Sequence, residues 1–568
     1  MRAIAAALVV LMASVSWGQA DDEARKKLLE ELYRGACGLS AVPVDVLTGD
    51  GPIAPLLDGM GDFEFPITTN SAEAQRFFNQ GVVLAYGFNH GEAARSFRQA
   101  TVLDPECAMA WWGYAMVLGP NINAGMDAAA VPVAYKAIGE AQRLSAGVTT
   151  RERDYISALA ERYAEDPGDD RTGLDRAYAE AMKNLAGKYP DDLDAQTLWV
   201  ESQMDLAPWD YWSADGRARD WTPAMLATLE SVMDRNPDHA GACHLYIHMS
   251  EFADPWRAEA AADRLSTLAP GAGHLVHMPG HIYIRIGRYG DAAEVNRRAS
   301  AVDEAYITQC RKQGIYPLAY YPHNVHFLWA SATMMGNSGE ALASARKLAD
   351  GIDDDLRGPL QQFLTVPLVA DVRFGQWDSI LALEGPHGGL MYTNGIWRYA
   401  RAMAYARTGR ADEAVMELDE LRSIMDSTDL EEETVFVVGG PRRILEIASE
   451  IVAGEIAAAS GDHDSAIAHL SRAARLEDGL AYNEPEDWAN PARLNLGAVL
   501  LEAGRSDEAE SVFWRDLEDH PENGWALTGL VAALEAQGED RVLELEAVRA
   551  RLAEAWSESD ITLATSRF

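Results

Sequence analysis

Small and apolar residues recur along this chain with a period of about 34 residues. Counting from Ala74, Gly81 stands eighth, Ala93 twentieth, Phe97 twenty-fourth, Ala100 twenty-seventh and Pro105 thirty-second. The same frame returns from Gly273, with Gly280, Tyr283, Gly287, Ala292 and Ala299 at places eight, eleven, fifteen, twenty and twenty-seven. It returns again from Gly395, Ile447, Asn490 and Gly524, and more weakly from Leu193, Ala240, Pro322 and Gln361. Between Gly119 and Leu193 the spacing is irregular, so insertions or an atypical unit are expected there. Small residues at places eight and twenty let two antiparallel helices touch, and the proline ends the second helix. Each unit is then a helical hairpin that buries its apolar face only by stacking on its neighbours.

This frame resembles the tetratricopeptide repeat (TPR). The resemblance implies an all-α fold: a right-handed α-solenoid of TPR hairpins with N- and C-terminal caps. Residues 21–73 read as the N-terminal cap and loop, with a short helix over 23–34. Residues 74–560 read as the solenoid, closed by a charged helix over 540–556. Whole phrases, YGFNHGEAARSFRQA (86–100), HLYIHMSE (244–251), AGHLVHMPGHIYIRIGRY (272–289), YYPHNVHF (320–327) and HPENGWALTGL (520–530), resemble a group of exported bacterial TPR proteins of unestablished activity. That resemblance implies fold and export, not chemistry.

Export is also read from the first residues. Arg2 precedes an apolar run too short to span a bilayer, and Gly18 and Ala20 are the small residues of a cleavage site. Residues 1–20 are therefore expected to be a signal peptide, and the mature protein periplasmic or secreted, without a membrane span. The chain has 48 Lys+Arg against 88 Asp+Glu, a formal net charge of -40. That balance excludes a binder of phosphate backbones and hence nucleic acid as partner. The four cysteines, Cys37, Cys107, Cys243 and Cys310, form no CxxC and are read mostly as small buried residues.

The histidines change the picture. Eight of the 13 lie within residues 239–326, where even spreading would put about two. His244 and His248 are four apart, as are His277 and His281, and His323 and His326 are three apart. A step of four sets two imidazoles on one helical face, the spacing by which helices present two ligands to one metal ion. In the repeat frame, His244 and His248 take places five and nine; His274, His277 and His281 take two, five and nine; His323 and His326 take two and five. The TPR resemblance implies that places two, five, nine and twelve of the first helix line a concave groove. Seven histidines (His244, His248, His274, His277, His281, His323 and His326) are thus the candidate ligands of a mononuclear or dinuclear centre. Glu201 and Glu251, at places nine and twelve of their units, are candidate carboxylates and would serve as general base. Imidazole suits Zn, Cu or Fe, and the donors do not choose among them.

Several neighbours read as support. The segment 208–212, with Trp209 and Trp212, could wall the groove, and Tyr320 and Tyr321 form an aromatic lip before His323. His239 is expected at a solvent-exposed turn, and His90, Asn121 and Asn123 at helix ends. Two functions follow. One is a metalloprotein, extending to a metal-dependent hydrolase or oxidase acting on a small molecule or peptide in the groove. The alternative is a non-enzymatic scaffold that binds a protein or peptide.

Overall fold

The computed structural model describes residues 54–168, 170–310, 315–385, 388–433 and 435–568; for 308–310, 315–319 and 355 it describes the backbone alone. The expected signal peptide, the helix over 23–34 and Cys37 lie outside the described residues, as does the Cys310 side chain. The described chain is all α, apart from two isolated bridges, Asn121 with Ala124 and Trp212 with Ala218. It divides into two compact units, residues 54–282 with 295–324, and residues 283–294 with 325–568. No described helix is long and apolar enough to cross a membrane.

The helices that matter most are α1 (Ala72–Tyr86), α2 (His90–Leu103), α3 (Leu193–Met204), α4 (Ala240–Ser250), α5 (Gly273–His277), α6 (Pro279–Arg285), α7 (Tyr289–Cys310) and α8 (Ile315–Met334). Side-chain caps start several of them. Ser71 accepts from the Ala74 amide at α1, Asn89 from Glu92 at α2, and Asp192 from Ala195 at α3. The small eighth residue does what the repeat frame predicts. A Cβ on Gly81 would lie 2.7 Å from the Phe97 ring, and one on Gly497 would lie 2.3 Å from Phe513. In each hairpin the aromatic ring of the second helix fills the space that glycine leaves on the first.

In the second unit, Gln361–Arg373, Met391–Arg407, Pro441–Ala459, Ala492–Glu502 and Gly524–Gln537 pack in succession, each on the next. Met391–Arg407, Pro441–Ala459 and Ala492–Glu502 also pack on the helix that follows each directly in the chain, the ladder expected of stacked hairpins. The closing helix is Val542–Ala555, two residues inside its expected start. The irregular stretch after Gly119 holds three further helices, Val131–Leu144, Thr150–Ala160 and Thr172–Lys188.

The first unit has one packing that chain order does not suggest: α4 lies against α1. The approach is close, because a Cβ on Gly241 would stand 2.6 Å from the Tyr86 ring. The Tyr86 hydroxyl reaches on to Asp194 at the start of α3, 2.7 Å away. This contact carries the turn after α1 to the histidines of α4.

Candidate metal centre

All eleven residues of α4 are buried, so it has no solvent face, and its two histidines must find partners inside the protein. His244 and His248 sit one turn apart with ring centroids 4.7 Å from each other. His274, from α5, brings its ring 5.0 Å from His244. One nitrogen of each of the three can be taken so that all lie within 4.8 Å of one another. His277, His281 and His323 form a second such group, from α5, α6 and α8. All six are buried, exposed by 6 % at most. The groups are neighbours: His274 and His277 are 5.8 Å apart by ring centroid, and His248 and His281 6.0 Å.

The HMPGH segment is not one continuous helix. Pro279 has no amide hydrogen to give the Leu275 carbonyl, so the helix stops at His277 and restarts as α6. The four-residue step nonetheless keeps both rings on one side, with His277 Nε2 and His281 Nε2 2.9 Å apart.

The outer nitrogens are held from behind. His244 Nδ1 donates to the Tyr86 carbonyl at 2.5 Å, and His277 Nδ1 to Asn296 Oδ1 at 2.6 Å. Glu251, at the end of α4, places Oε1 3.6 Å from His248 Nδ1 and Oε2 3.4 Å from His281 Nδ1. A partner on Nδ1 fixes the tautomer and turns the Nε2 lone pair inward, as ligating histidines require. Glu251 brings a carboxylate beside Nδ1 of one ring in each group, at ion-pair distance and without a hydrogen bond to His248. Gly280 is glycine for the same network: a Cβ there would lie 2.5 Å from the Asn296 amide nitrogen.

An aromatic shell packs on the first group. The Phe88 ring lies 4.5 Å from His244 and 5.8 Å from both His248 and His274. Trp209 meets His248 edge-on at 5.0 Å, and Tyr320 meets His274 at 4.5 Å. Phe88 and Trp209 both hold positive φ, +52° and +62°, which non-glycine residues adopt at a cost. Trp209 is tied by its Nε1–H to the Ile122 carbonyl at 3.1 Å, and Tyr320 accepts from Asn123 at 3.1 Å. Burial pushes the pKa of His244, His248, His274 and His277 well below the ordinary imidazole value, and the neighbouring imidazoles lower it further. These rings are neutral at pH 7, the form that ligates metal.

Two expected site residues stand elsewhere. His326 joins neither group. It lies in the second unit, stacked on Trp329 at 5.3 Å and edge-on to Phe363 at 5.4 Å. Its ring is occupied by these aromatic contacts and is not among the groups of nitrogens that come within reach of one ion. Glu201 faces a different ion network, not the histidines. Burial raises its carboxyl pKa, Arg162 opposes that, and Asp205 and Asp175 complete the set. The buried Arg162 guanidinium, 2.6 Å from Asp205, needs these carboxylates as counter-charge.

His239 is buried rather than exposed: it caps α4 by accepting from the Ala242 amide at 3.1 Å, and Asp194 lies 3.3 Å from its Nε2. His90 is buried against Asn121. Cys107 and Cys243 are buried and unpaired with each other, and burial pushes the Cys243 thiol up to about 12. The sequence reading missed Asn296 and the Tyr86 carbonyl. Gly280, at the eighth place, signalled a close approach; a backbone carbonyl leaves no signature in the residue types.

No family model matches the chain, and no curated protein does. Among solved structures, a human IFIT1 dimer with m7Gppp-AAAA is 11% identical with a TM-score of 0.29, covering 86% of this chain and 91% of its own. The TPR domain of P58(IPK) is 12% identical with a TM-score of 0.22, covering 85% and 99%. Yeast Tom70 is 10% identical with a TM-score of 0.24, covering 85% and 90%. The fold assignment rests on the helix pairing itself: a helical-repeat scaffold whose first unit brings six histidines together.

Proposed function

We propose that the first unit binds transition-metal ions, one at each group of three histidines, in an exported metalloprotein. One observation carries the reading. Six buried imidazoles from four helices converge in two groups; His244 and His277 are hydrogen-bonded at Nδ1 from behind, and Glu251 stands 3.6 Å and 3.4 Å from Nδ1 of His248 and His281. Burying that many imidazoles is costly unless something shares their lone pairs. His244 Nε2 and both ring nitrogens of His248 are buried without a hydrogen-bond partner among the described residues.

Metal analysis of the purified full chain tests this. About two ions per chain are expected, removable by chelator. His277→Ala with His281→Ala lowers the content to about one. Fewer than about 0.2 ions per chain in the wild type, unchanged by these substitutions and by added Zn, Cu or Fe, overturns the reading.

A further inference from the structure

We infer that the second unit carries a binding site for a short α-amino acid, held as its zwitterion in a cavity lined by α6, α7, α8 and the loop 483–489. The site shares no residue with the histidine groups, so it stands apart from the metal-binding reading.

The donors come first. The cavity is about 50 Å³, and every residue lining it belongs to the second unit. Arg285 closes α6, Tyr289 opens α7 and Trp329 lies on α8. The Tyr289 hydroxyl, the Trp329 Nε1–H and the Arg285 Nε–H have no hydrogen-bond partner among the described residues. Tyr289 is 4 % exposed and Trp329 2 %. Glu484 stands 3.7 Å from Arg285 Nε, too far for a hydrogen bond. Indole and guanidinium nitrogens only donate, and a buried donor left unpaired is costly. Three such donors around one small cavity fit a group rich in lone pairs, a carboxylate.

The other wall excludes a simple anion. Glu484, Glu486 and Asp519 line the same cavity, against only two cations, Arg285 and His520. Burial opposes the charge on His520, but Glu486 at 3.0 Å and Asp516 at 3.4 Å hold its pKa well above the ordinary value. The side chains of Glu486 and Asp519 are 41 % and 38 % exposed, so they stand toward the mouth. Asn483 adds an acceptor there. Its Nδ2 donates to Asp487 at 2.8 Å, which leaves Oδ1, buried and without a partner among the described residues, for a guest. Carboxylates and an amide oxygen suit an ammonium group. A cation alone would leave Tyr289 and Trp329 unpaired, whereas a zwitterion satisfies both walls.

Size narrows the guest. At about 10–15 Å³ for each water-sized group, the cavity holds roughly three to five heavy atoms. Glycine and alanine are of that size. Ile284, Ala330, Met334 and Pro485 complete the lining, an apolar surface that suits a methyl group better than a polar side chain.

Calorimetric titration of the full chain with L-alanine and with glycine tests this. Saturable binding is expected. Acetate and methylammonium each match one wall only and should bind at least about 10-fold more weakly. L-Leucine, too long for the cavity, should not compete. Tyr289→Phe and Trp329→Phe each remove a donor and keep an aromatic ring, and each should weaken L-alanine binding about 10-fold. Thermal melting without ligand identifies a variant that fails to fold; the other then carries that arm, and the ligand series on the wild type decides in either case. No saturable binding of either amino acid, the result for a cavity that takes up water alone, overturns the inference. So does acetate or methylammonium binding as tightly as L-alanine, or L-alanine affinity retained in the folded variants. Metal content, measured on the same samples, should not change, so failure here leaves the metal-binding reading standing.

Discussion

At the scale of the residue, the centre depends as much on what stands behind the imidazoles as on the imidazoles. Asn296 fixes His277, and Gly280 makes room for Asn296. Gly280→Ala should therefore push the amide away. We expect about 1–3 kcal/mol of destabilisation and about 10-fold weaker metal binding, read by thermal melting and by competition with a chelator. Glu251→Gln keeps the shape but removes the charge facing His248 and His281. It should weaken binding by about 10- to 100-fold, with ion stoichiometry recovered at high metal. A variant with wild-type affinity would show that Glu251 plays no part in orienting the rings. Seven ligands were read from spacing, and six converge. His326 departs because its ring is taken up by Trp329 and Phe363.

At the scale of the element, two interruptions shape the site. Pro279 splits the His277–His281 segment into α5 and α6, and the left-handed turn at Phe88 ends α1 with its ring beneath His244. The turn after α1 follows from the repeat frame, which sets His90 at a helix end, whereas the histidine spacing in HMPGH reads as one helix and Pro279 divides it. The contacts of the hairpins from Ala74 and Asn490 were legible, since glycine at place eight and phenylalanine at place twenty-four are complementary shapes. Gly497→Ala should thus cost about 1–3 kcal/mol by driving a methyl group into Phe513. Because this hairpin lies in the second unit, metal content should stay unchanged. A loss of metal together with stability would show that the units do not fold independently.

At the scale of the whole molecule, the metal-free protein should be sensitive to acid. Burial lowers His90 to about 4 and His326 to about 3, and holds the pKa of His244, His248, His274 and His277 well below the ordinary value. The unfolded chain protonates these rings near pH 6.5 while the folded chain keeps them neutral. Below that pH the unfolded state binds more protons, so the stabilisation is complete above about 6.5 and is lost as pH falls toward 4 and then 3. Melting temperatures of stripped protein between pH 8 and 4 should fall accordingly; a flat profile contradicts this. Bound metal should raise the melting point, because it adds about 2.7 kcal/mol of stability per site at 100-fold excess over the dissociation constant.

Across these scales, local rules and long-range packing divided the work. Periodicity, glycine and proline placement, and the four-residue histidine steps are properties of neighbours along the chain, so residue order alone determined the helical repeat and five of the six converging histidines as pairs or near-pairs. The sixth, His323, was also named from the sequence, paired with His326; the sorting of the six into two groups of three, the turn of Glu201 toward Arg162 and the arrival of Tyr86 and Phe88 behind His244 came only with the tertiary structure. The packing of α4 on α1 joins segments more than 150 residues apart. No local preference encodes it, because such a contact is chosen by the summed burial of all the helices between.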